Sequence, residues 1–464
     1  MKHLIVTGVV ILLCLACGCS RFLPAKNDYA SDFVPETFSR TKNDSFTNSC
    51  WWTDFGSDEL NGLVDKALKD NLSISAAAAR LKQARAIAVQ RGAARVPDIS
   101  TGAAVSSTER EKTAIEGGDT RTESAELLLS ASYELDLWGR VSAIKESASL
   151  DANASSEDLE TVRLSIAAKV ASSYFDLLYT RTVMDLVKTQ VQTAKDILYL
   201  IEFRYRRSQA TALDVLQQRE LVAQTESLLP HLEAREEVAL NALCVLTGLR
   251  PGTDLFLKKR ILPALPIVPD TGLPLQLVER RPDIRSALFR LESAHYSVKA
   301  AKADRLPAIR LTASAGYSNS DISDIFDNWI ARLAGNIAAP LIDGRRRKAE
   351  VDKTLAVLDE RIADYRAVIL KALTEVENAL IREEKQSAYI DALKRQQSAA
   401  ESAYNEASER YLKGAESYLA ALRELNNLHT IQRQTAKARY DMAVFRVNLY
   451  QALAGTFNNK KENK

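Results

Sequence analysis

The sequence has little glycine and proline, and two long stretches contain almost none of either. Its 464 residues include 17 glycines and 12 prolines. Between Gly139 and Gly248 the only such residue is Pro230, and between Gly344 and Gly414 there is none. Both residue types interrupt helices, glycine through backbone entropy and proline through its missing N–H. Each stretch therefore predicts an unusually long helix.

Beyond the N-terminus, the sequence also lacks long apolar runs, an excess of charge and catalytic motifs. No internal stretch approaches the roughly 20 apolar residues of a membrane-spanning helix, so passage through a membrane must use strands or a lipid. The formal net charge is +2, which gives no basic field for nucleic acid. No hydrolase, metalloprotease or nucleotide-binding motif occurs in a matching context. These absences predict a protein that is not an enzyme and that needs no cofactor or metal.

Of the five cysteines, the two beyond the first 20 residues are single, with neither a CxxC motif nor a metal-ligand spacing. Cys50 and Cys244 lie far apart, and a disulfide between them remains open, although two buried thiols are favoured. With three methionines and four scattered histidines, the chain offers no obvious soft-metal relay, so copper export is not favoured.

The first 20 residues have the pattern of a bacterial lipoprotein signal. A positive end is followed by an apolar run over residues 4–15, of signal-peptide length. The string LACGCS resembles a lipobox, so we expect a signal peptide over 1–18 and a covalent lipid, such as palmitate, on Cys19; Cys17 is the weaker candidate. Ser20 resembles the sorting pattern for the outer membrane. An ordinary secretory signal with incidental cysteines is the alternative.

The rest of the chain repeats itself with a period of about 200 residues. Three pairs of segments match in order: 93–99 with 303–309, 135–140 with 341–345, and 204–207 with 410–413. We therefore predict two structural repeats joined by a linker, with a lipid-anchored extended segment before them and a polar tail after them. The predicted boundaries are 19–57 for the anchored segment, 58–255 and 273–455 for the repeats, 256–272 for the linker and 456–464 for the tail.

Each repeat contains two segments in which apolar and polar residues alternate, the period of a two-faced sheet. The predicted strands lie near 98–107, 126–137, 308–318 and 329–341. Lengths near ten residues suit membrane β-strands, although a soluble half-buried sheet alternates in the same way. Four strands cannot close a barrel, and an open edge in lipid leaves backbone groups unpaired. Strands that enter a membrane must therefore be shared among several chains. The polar stretch 108–122 predicts an external loop.

Long helices are predicted over residues 141–205 and 345–411, with returning helices over 213–246 and 419–453. Apolar residues recur every three or four positions between charged ones, as in an amphipathic helix. A helix of about 65 residues is about 100 Å long and gains most of its stability from a buried face. The helices should therefore pack as antiparallel hairpins.

Several strings resemble a known family. They are YELDLWGR at 133–140, ERRPDIR at 279–285, DGRR at 343–346 and RYLKGAESYL at 410–419, with Trp52, Phe55, Glu59 and Leu60 nearer the start. Together they resemble the outer-membrane efflux protein family, specifically the OprM/NodT-like lipoprotein branch of TolC-type channels.

This resemblance implies a mainly α-helical fold with a membrane β-barrel. Three chains, each with four strands and long antiparallel helices, would complete a twelve-stranded barrel and a twelve-helix periplasmic tunnel. It implies the exit duct of a tripartite efflux pump in the outer membrane. The implied partners are a periplasmic adaptor protein, an inner-membrane transporter of the RND type and outer-membrane lipid, with no nucleic acid.

The resemblance also implies that the helical tips close the periplasmic end. Carried over by position, the candidate gate residues are Arg410, Tyr411, Leu419, Arg423, Tyr205, Thr211 and Asp214. The family often has an acidic residue where this chain has Arg423. We hypothesise that Arg423 pairs with Asp214 or Glu416 and latches the closed tip; a solvated surface charge is the alternative.

Two other functions fit parts of the sequence. One is the outer-membrane duct of a type I protein secretion system. The other is a structural periplasmic coiled-coil lipoprotein, which would not need alternating strands. The cargo is left open, because selection is expected mainly at the inner-membrane pump.

Overall fold

The structure, a computed structural model, describes residues 34–39, 50–110, 120–266, 268–269 and 274–453. Its helices are α1 (Asp58–Asp70), α2 (Leu72–Gly92), α3 (Arg140–Arg206), α4 (Ala212–Glu226), α5 (Leu228–Leu246), α6 (Pro274–Arg280), α7 (Pro282–Ala303), α8 (Arg346–Leu412) and α9 (Tyr418–Leu453). Its strands are β1 (Asp98–Arg110), β2 (Thr120–Leu135), β3 (Ala308–Asn319) and β4 (Trp329–Ala338). The predicted combination of long helices and four strands is confirmed. Cys19 and the tail at 456–464 lie outside the described residues.

The chain divides into two compact units. The first contains Ala79–Ser156 and Ser286–Ala367, which include all four strands. The second contains Phe33–Ala78, Glu157–Arg285 and Val368–Lys464. The two longest helices, α3 and α8, each contribute residues to both units.

In the first unit, the strands form one antiparallel sheet in the order β1-β2-β3-β4. Its register aligns odd-numbered residues on one face, for example in the row Thr101–Leu129–Ala315–Ala331. That face is apolar and solvent-accessible. The large apolar residues on it that expose more than half of their surface are Ile99, Val105, Leu129, Trp329, Leu333 and Ile337.

The opposite face of the sheet is largely polar. One row across the four strands consists of Ser100, Ser130, Ser314 and Arg332. Because side chains alternate along each strand, the chain separates an apolar surface from a polar one across a single backbone layer.

The first strand pair extends into the polar stretch for which the sequence predicted a loop. Strand β1 continues to Arg110 and β2 begins at Thr120. Polar side chains stabilise this extension across and along the strands: the hydroxyls of Ser106 and Ser124 lie 2.8 Å apart, and Arg121 and Glu123 form an ion pair at 2.6 Å. Polarity alone therefore does not end a strand here.

At Gly316 on β3, the backbone of β2 leaves no room for a side chain. A Cβ atom at this position would lie 2.0 Å from the carbonyl oxygen of Leu127 and 2.8 Å from the Cα of Leu128. Neither neighbour is a movable side chain. Glycine is therefore required at this position of the β2–β3 pairing.

In the second unit, an aromatic cluster joins the segment before α1 to the long helices. Trp51 stacks on Tyr450 with ring centroids 5.5 Å apart, and Phe55 lies 5.1 Å from Phe175. Trp51 and Phe175 have no exposed surface. The predicted extended segment at 19–57 thus includes a short helical turn at Trp51–Phe55 that packs firmly on α3 and α9.

The first returning helix is interrupted, whereas the sequence predicted one helix over 213–246. Helix α4 ends at Glu226 and α5 begins at Leu228. Pro230 lies in the first turn of α5, where its missing N–H is tolerated, but the same ring could not continue α4 without loss of a hydrogen bond. The break at Ser227 has this local cause.

The ERRPDIR string forms a buried junction around one arginine. The guanidinium of Arg281 lies 2.6 Å from the Asp283 carboxylate and 2.7 Å from that of Glu375, and it donates to the Ala452 carbonyl at 3.2 Å. Asp283 opens α7, Glu375 belongs to α8 and Ala452 ends α9. This motif therefore fixes three helices and its role is structural.

Cys50 and Cys244 are both free thiols, and the disulfide left open by the sequence is not formed. Cys244 is buried, as expected, but Cys50 is exposed. Cys50 directly precedes the helical turn at Trp51–Phe55, whose buried aromatic rings leave the preceding residue at the surface.

Candidate functional site: the tips of the two helical hairpins

The first tip connects α3 to α4 through a Schellman turn. The N–H of Ser208 donates to the carbonyl of Tyr205 at 2.9 Å, and the N–H of Gln209 donates to the carbonyl of Arg204 at 2.9 Å. Ser208 has a φ of 56°. This left-handed conformation is costly for a residue with a Cβ atom.

The second tip connects α8 to α9 through the same turn. The N–H of Gly414 donates to the carbonyl of Tyr411 at 3.0 Å, and the N–H of Ala415 donates to that of Arg410 at 2.9 Å. The left-handed residue is here Gly414, with a φ of 75°. The two tips thus share one backbone geometry.

The helices that leave the tips begin differently. Thr211 and Asp214 form a reciprocal capping box at α4: the N–H of Asp214 donates to Thr211 Oγ1 at 3.2 Å, and the N–H of Thr211 donates to Asp214 Oδ2 at 2.8 Å. At α9, Ala420 occupies the equivalent position and cannot complete such a box. Glu416 instead accepts the N–H of Ser417 at 3.1 Å.

A buried apolar cluster joins the two hairpins near their tips. Ile201, Val215 and Tyr418 expose 1%, 7% and 4% of their surface. The Tyr418 hydroxyl donates to Gln218 Oε1, and Gln218 Nε2 donates to the Ala194 carbonyl at 2.7 Å. The side chains of Tyr418 and Gln218 therefore satisfy each other in this apolar setting. The Tyr411 hydroxyl, packed against the same cluster, is buried without a hydrogen-bond partner among the described residues.

Tyr411 lies between an arginine and a second tyrosine. The guanidinium carbon of Arg204 is 5.0 Å from the Tyr411 ring centroid, and the Tyr418 ring is 5.1 Å away at an interplanar angle of 58°. Burial raises the pKa of Tyr411, and the nearby Asp214 carboxylate raises it further. Its hydroxyl therefore stays protonated at neutral pH.

The sequence analysis named Tyr411 as a candidate gate residue but not Arg204, Gln218 or Tyr418, although Tyr418 lies in the tip string at 410–419. Arg204 and Gln218 contact residues of the other hairpin about 200 positions away. A local pattern contains no signal for such a contact. The only available hint was Tyr418, a large aromatic residue in a first helical turn.

The remaining predicted gate residues lie at the surface. Arg410 pairs with Glu406 at 2.7 Å within its own helix. Tyr205 and Leu419 expose 49% and 39% of their surface, and Arg423 is exposed as well.

The hypothesised latch does not form within the chain. Among the described residues, no ion pair connects Arg423 to Asp214 or Glu416. Both carboxylates instead accept backbone N–H groups beside their own helices. As a contact between chains, the latch stays a prediction.

The first tip also presents apolar surface to solvent. Leu213 and Leu216 expose 61% and 60% of their surface. Leu216 and Tyr205 line an open cavity of about 380 Å³ together with the paired charges of Glu202 and Arg219. Exposed apolar residues rimmed by charge are typical of a protein-binding surface.

Within the described residues, no cluster of histidine, cysteine, aspartate or glutamate side chains could hold a metal ion. In the same part of the chain, no helix is both long and apolar enough to cross a membrane.

Comparisons of the sequence and of the structure with known proteins all point to outer-membrane efflux proteins. The family model described as outer membrane efflux protein matches residues 63–249 and 273–455. The chain is 32% identical to the pyoverdine export outer membrane protein OpmQ of Pseudomonas aeruginosa over 473 residues, which cover 100% of this chain and 98% of that protein. It is 30% identical to the toluene efflux pump outer membrane protein TtgI of Pseudomonas putida over 399 residues, with coverage of 85% and 84%.

Among solved structures, the outer-membrane channel OprN superposes with a TM-score of 0.86 at 27% identity, covering 93% of this chain and 96% of that one. These relatives are named as channel and export proteins rather than enzymes. The chain belongs to the outer membrane efflux protein family, and it is an efflux channel of the outer membrane.

Proposed function

We propose that this protein is the exit duct of a tripartite efflux pump and passes small molecules from the periplasm to the outside. The observation that carries this proposal is the two-faced sheet, whose apolar face is exposed over four strands. A soluble protein rarely leaves an apolar surface of this extent in water. In a bilayer, the same face contacts lipid and the polar face lines a water-filled passage.

The duct is a trimer. Strands β1 and β4 each have one unpaired edge, and unpaired backbone groups in lipid cost several kcal/mol each. Pairing β4 of one chain with β1 of the next removes both edges. Three chains of four strands then close one barrel, and the helical hairpins continue the passage into the periplasm.

The periplasmic end opens and closes at the hairpin tips. Tyr411 and Tyr205 end the long helices there, and Leu419 and Arg423 lie in the first turns of α9. In the closed state Arg423 forms an ion pair with a carboxylate of a neighbouring chain. Exposed ion pairs contribute only about 0–1 kcal/mol each, which suits a contact that must break during transport.

The anchor and the partners follow from the same proposal. Cys19 carries the lipid that holds the N-terminal segment at the outer membrane. A periplasmic adaptor binds the tips, and an inner-membrane transporter of the RND type supplies the cargo. The relatives named for pyoverdine export and toluene efflux support a small organic cargo over the polypeptide of a type I secretion system.

A matched pair of substitutions tests the orientation of the sheet. Leu333 lies on the apolar face with 83% of its surface exposed, and Ala334 follows on the polar face. Arginine on the lipid side of a membrane strand costs about 2–4 kcal/mol at the membrane centre. We expect Leu333→Arg to prevent assembly of the oligomer in bilayers, while Ala334→Arg inserts and changes only the conductance.

The readouts are the oligomer mass in detergent and the conductance of planar bilayers. A monomer that conducts no ions in any variant would contradict the proposal. The latch is tested separately with Arg423→Glu. Unchanged conductance and open probability in this variant would discard the latch and leave the duct in place.

A further inference from the structure

The two connections from sheet to long helix differ in charge, although they occupy equivalent places in the two repeats. In the first connection, the charges are balanced internally. Arg140 donates to both carboxylate oxygens of Glu134, at 2.7 and 2.9 Å. Asp136 accepts the N–H groups of Val141 at 2.9 Å and Ser142 at 2.7 Å at the start of α3.

The second connection has an excess of positive charge. Arg347 is paired with Asp304 at 3.0 Å and with Asp343 at 3.2 Å. Arg345, Arg346 and Lys348 surround it and are exposed. Within the described residues, the side chains of these three form no hydrogen bond or ion pair.

These cations do not serve the stability of their own helix. Positive charges in a first helical turn oppose the helix dipole, whereas carboxylates there are favourable. Arg345 also has a φ of 68°, directly after Gly344 with a φ of 61°. A side chain other than glycine is strained in this conformation. An unfavourable residue at an exposed position suggests a function outside the fold.

Apolar surface adjoins the positive charges. Leu341 and Ile342 follow the end of β4 and expose 91% and 96% of their surface. They line an open cavity of about 540 Å³ together with the apolar side chains of Leu135, Leu137 and Leu306. Charged residues also line it, and they are engaged within the chain: Glu134 with Arg140, Asp304 with Arg347, and Asp136 with backbone N–H groups of α3. The apolar face of the sheet continues toward this cavity, because Ile337 near the end of β4 is 68% exposed.

We propose that this connection binds an anionic phospholipid of the membrane leaflet nearest the long helices. Arg345, Arg346 and Lys348 bind the phosphate, and an acyl chain contacts Leu341, Ile342 and the cavity. The proposal rests on the proposed function, because it needs the apolar sheet face in lipid. The direct continuity with that face favours a lipid over an acidic protein, which would need only the charges.

The first test measures lipid retention by the purified oligomer. The protein is placed in nanodiscs of phosphatidylcholine with a minor share of phosphatidylglycerol, and lipid that remains bound after detergent washing is quantified by mass spectrometry. The variant R345Q/R346Q/K348Q is expected to retain phosphatidylglycerol more weakly by a factor on the order of 100, from three lost cation–phosphate attractions. Retention of phosphatidylcholine should fall much less, because its choline offsets the charge of its phosphate.

A matched control removes the same charge from helix α8. The variant K371Q/K385Q/K394Q loses three exposed lysines whose side chains are 75%, 67% and 55% accessible. It should retain phosphatidylglycerol like the parent. Equal loss in both variants, or equal retention in both, would overturn the site. So would a triple variant whose oligomer dissociates regardless of lipid, which would make the connection a contact between chains.

The second test separates lipid binding from a structural role. Arg345→Gly relieves the backbone strain and removes one cation. The midpoint of thermal unfolding in detergent should hold or rise, while phosphatidylglycerol retention falls about fivefold. A fall in both would indicate a structural role and overturn the proposal. Conductance in bilayers of phosphatidylcholine alone should persist in every variant; its absence in the parent would instead contradict the duct.

Discussion

The two hairpin tips share one backbone turn, yet they are stabilised by different means. The first tip is stabilised locally by the capping box of Thr211 and Asp214, although Ser208 adopts a strained backbone conformation. The second tip has Gly414 and Ala420 at these positions and is fixed by Tyr418, which is buried against the first hairpin. Removing the capping box should thus affect the first tip alone, whereas removing Tyr418 should release the second.

The largest effect is expected for Tyr418→Ala. Loss of a buried aromatic side chain costs about 3–5 kcal/mol, and the Oε1 atom of Gln218 would also lose its hydrogen-bond donor in a buried site. Hydrogen exchange at residues 412–425 should become much faster, and that at 204–211 should change less. Leu213→Ala is the control, because Leu213 is 61% exposed. Equally faster exchange at both tips would show that Tyr418 does not stabilise the second tip selectively.

The second prediction concerns acid stability in the second hairpin. His429 exposes 4% of its surface, and burial, aided by Arg433, lowers its pKa from 6.5 to about 4. Between these values the unfolded chain binds a proton that the folded chain does not. Stability should therefore fall as pH decreases from 6.5 to 4, by roughly 2–3 kcal/mol, and this contribution should then level off.

His429→Gln should remove this part of the pH dependence, measured by urea unfolding at several pH values. His231→Gln is the matched control, because His231 is exposed on α5. A slope that survives in His429→Gln would assign the acid sensitivity to other groups.

The third prediction exchanges the left-handed residues. Gly414→Ser should destabilise the second tip by about 1–2 kcal/mol, because serine must adopt the strained conformation. Ser208→Gly should stabilise the first tip by up to about the same amount. Local hydrogen exchange would measure both. If both substitutions destabilise, the Ser208 side chain has a role that its backbone conformation does not explain.

The smallest effects are expected from the helix caps. Asp214→Ala should cost about 1 kcal/mol, because it removes the capping box of α4. Ala420→Asp should add less than 1 kcal/mol at α9, if Ser417 acts as its N-cap. Amide exchange in the first turns of α4 and α9 provides the measurement. A loss of stability at α4 together with a gain at α9 would support the proposed difference between the tips. A loss of stability at both helices would reject it.

Much of the fold was predictable because its determinants are local. The stretches without glycine and proline predicted the two long helices, and the alternation from Ile309 to Tyr317 predicted β3. The break at Ser227 could have been found from Pro230 but was outweighed by the periodicity around it. The extension of β1 and β2 was missed because polar cross-strand contacts, such as Ser106 with Ser124, look like loop composition in the sequence.

The site was less predictable because its contacts are distant in the chain. Tyr411 was identified through a family resemblance, whereas Arg204 and Gln218 became visible only when the second hairpin packed against the first. Arg423 shows the reverse case. Its charge suggested a partner, but Asp214 and Glu416 are already engaged by backbone N–H groups beside them.

The register of the sheet limits how this protein can change during evolution. Because every odd-numbered strand residue faces the apolar side, one inserted or deleted residue in a strand would exchange the two surfaces beyond that point. Such a shift would also move Gly316 away from the backbone of Leu127 and Leu128, which leaves no room for a side chain. Length variation among descendants of this gene is therefore expected in the connections, and within strands only in steps of two.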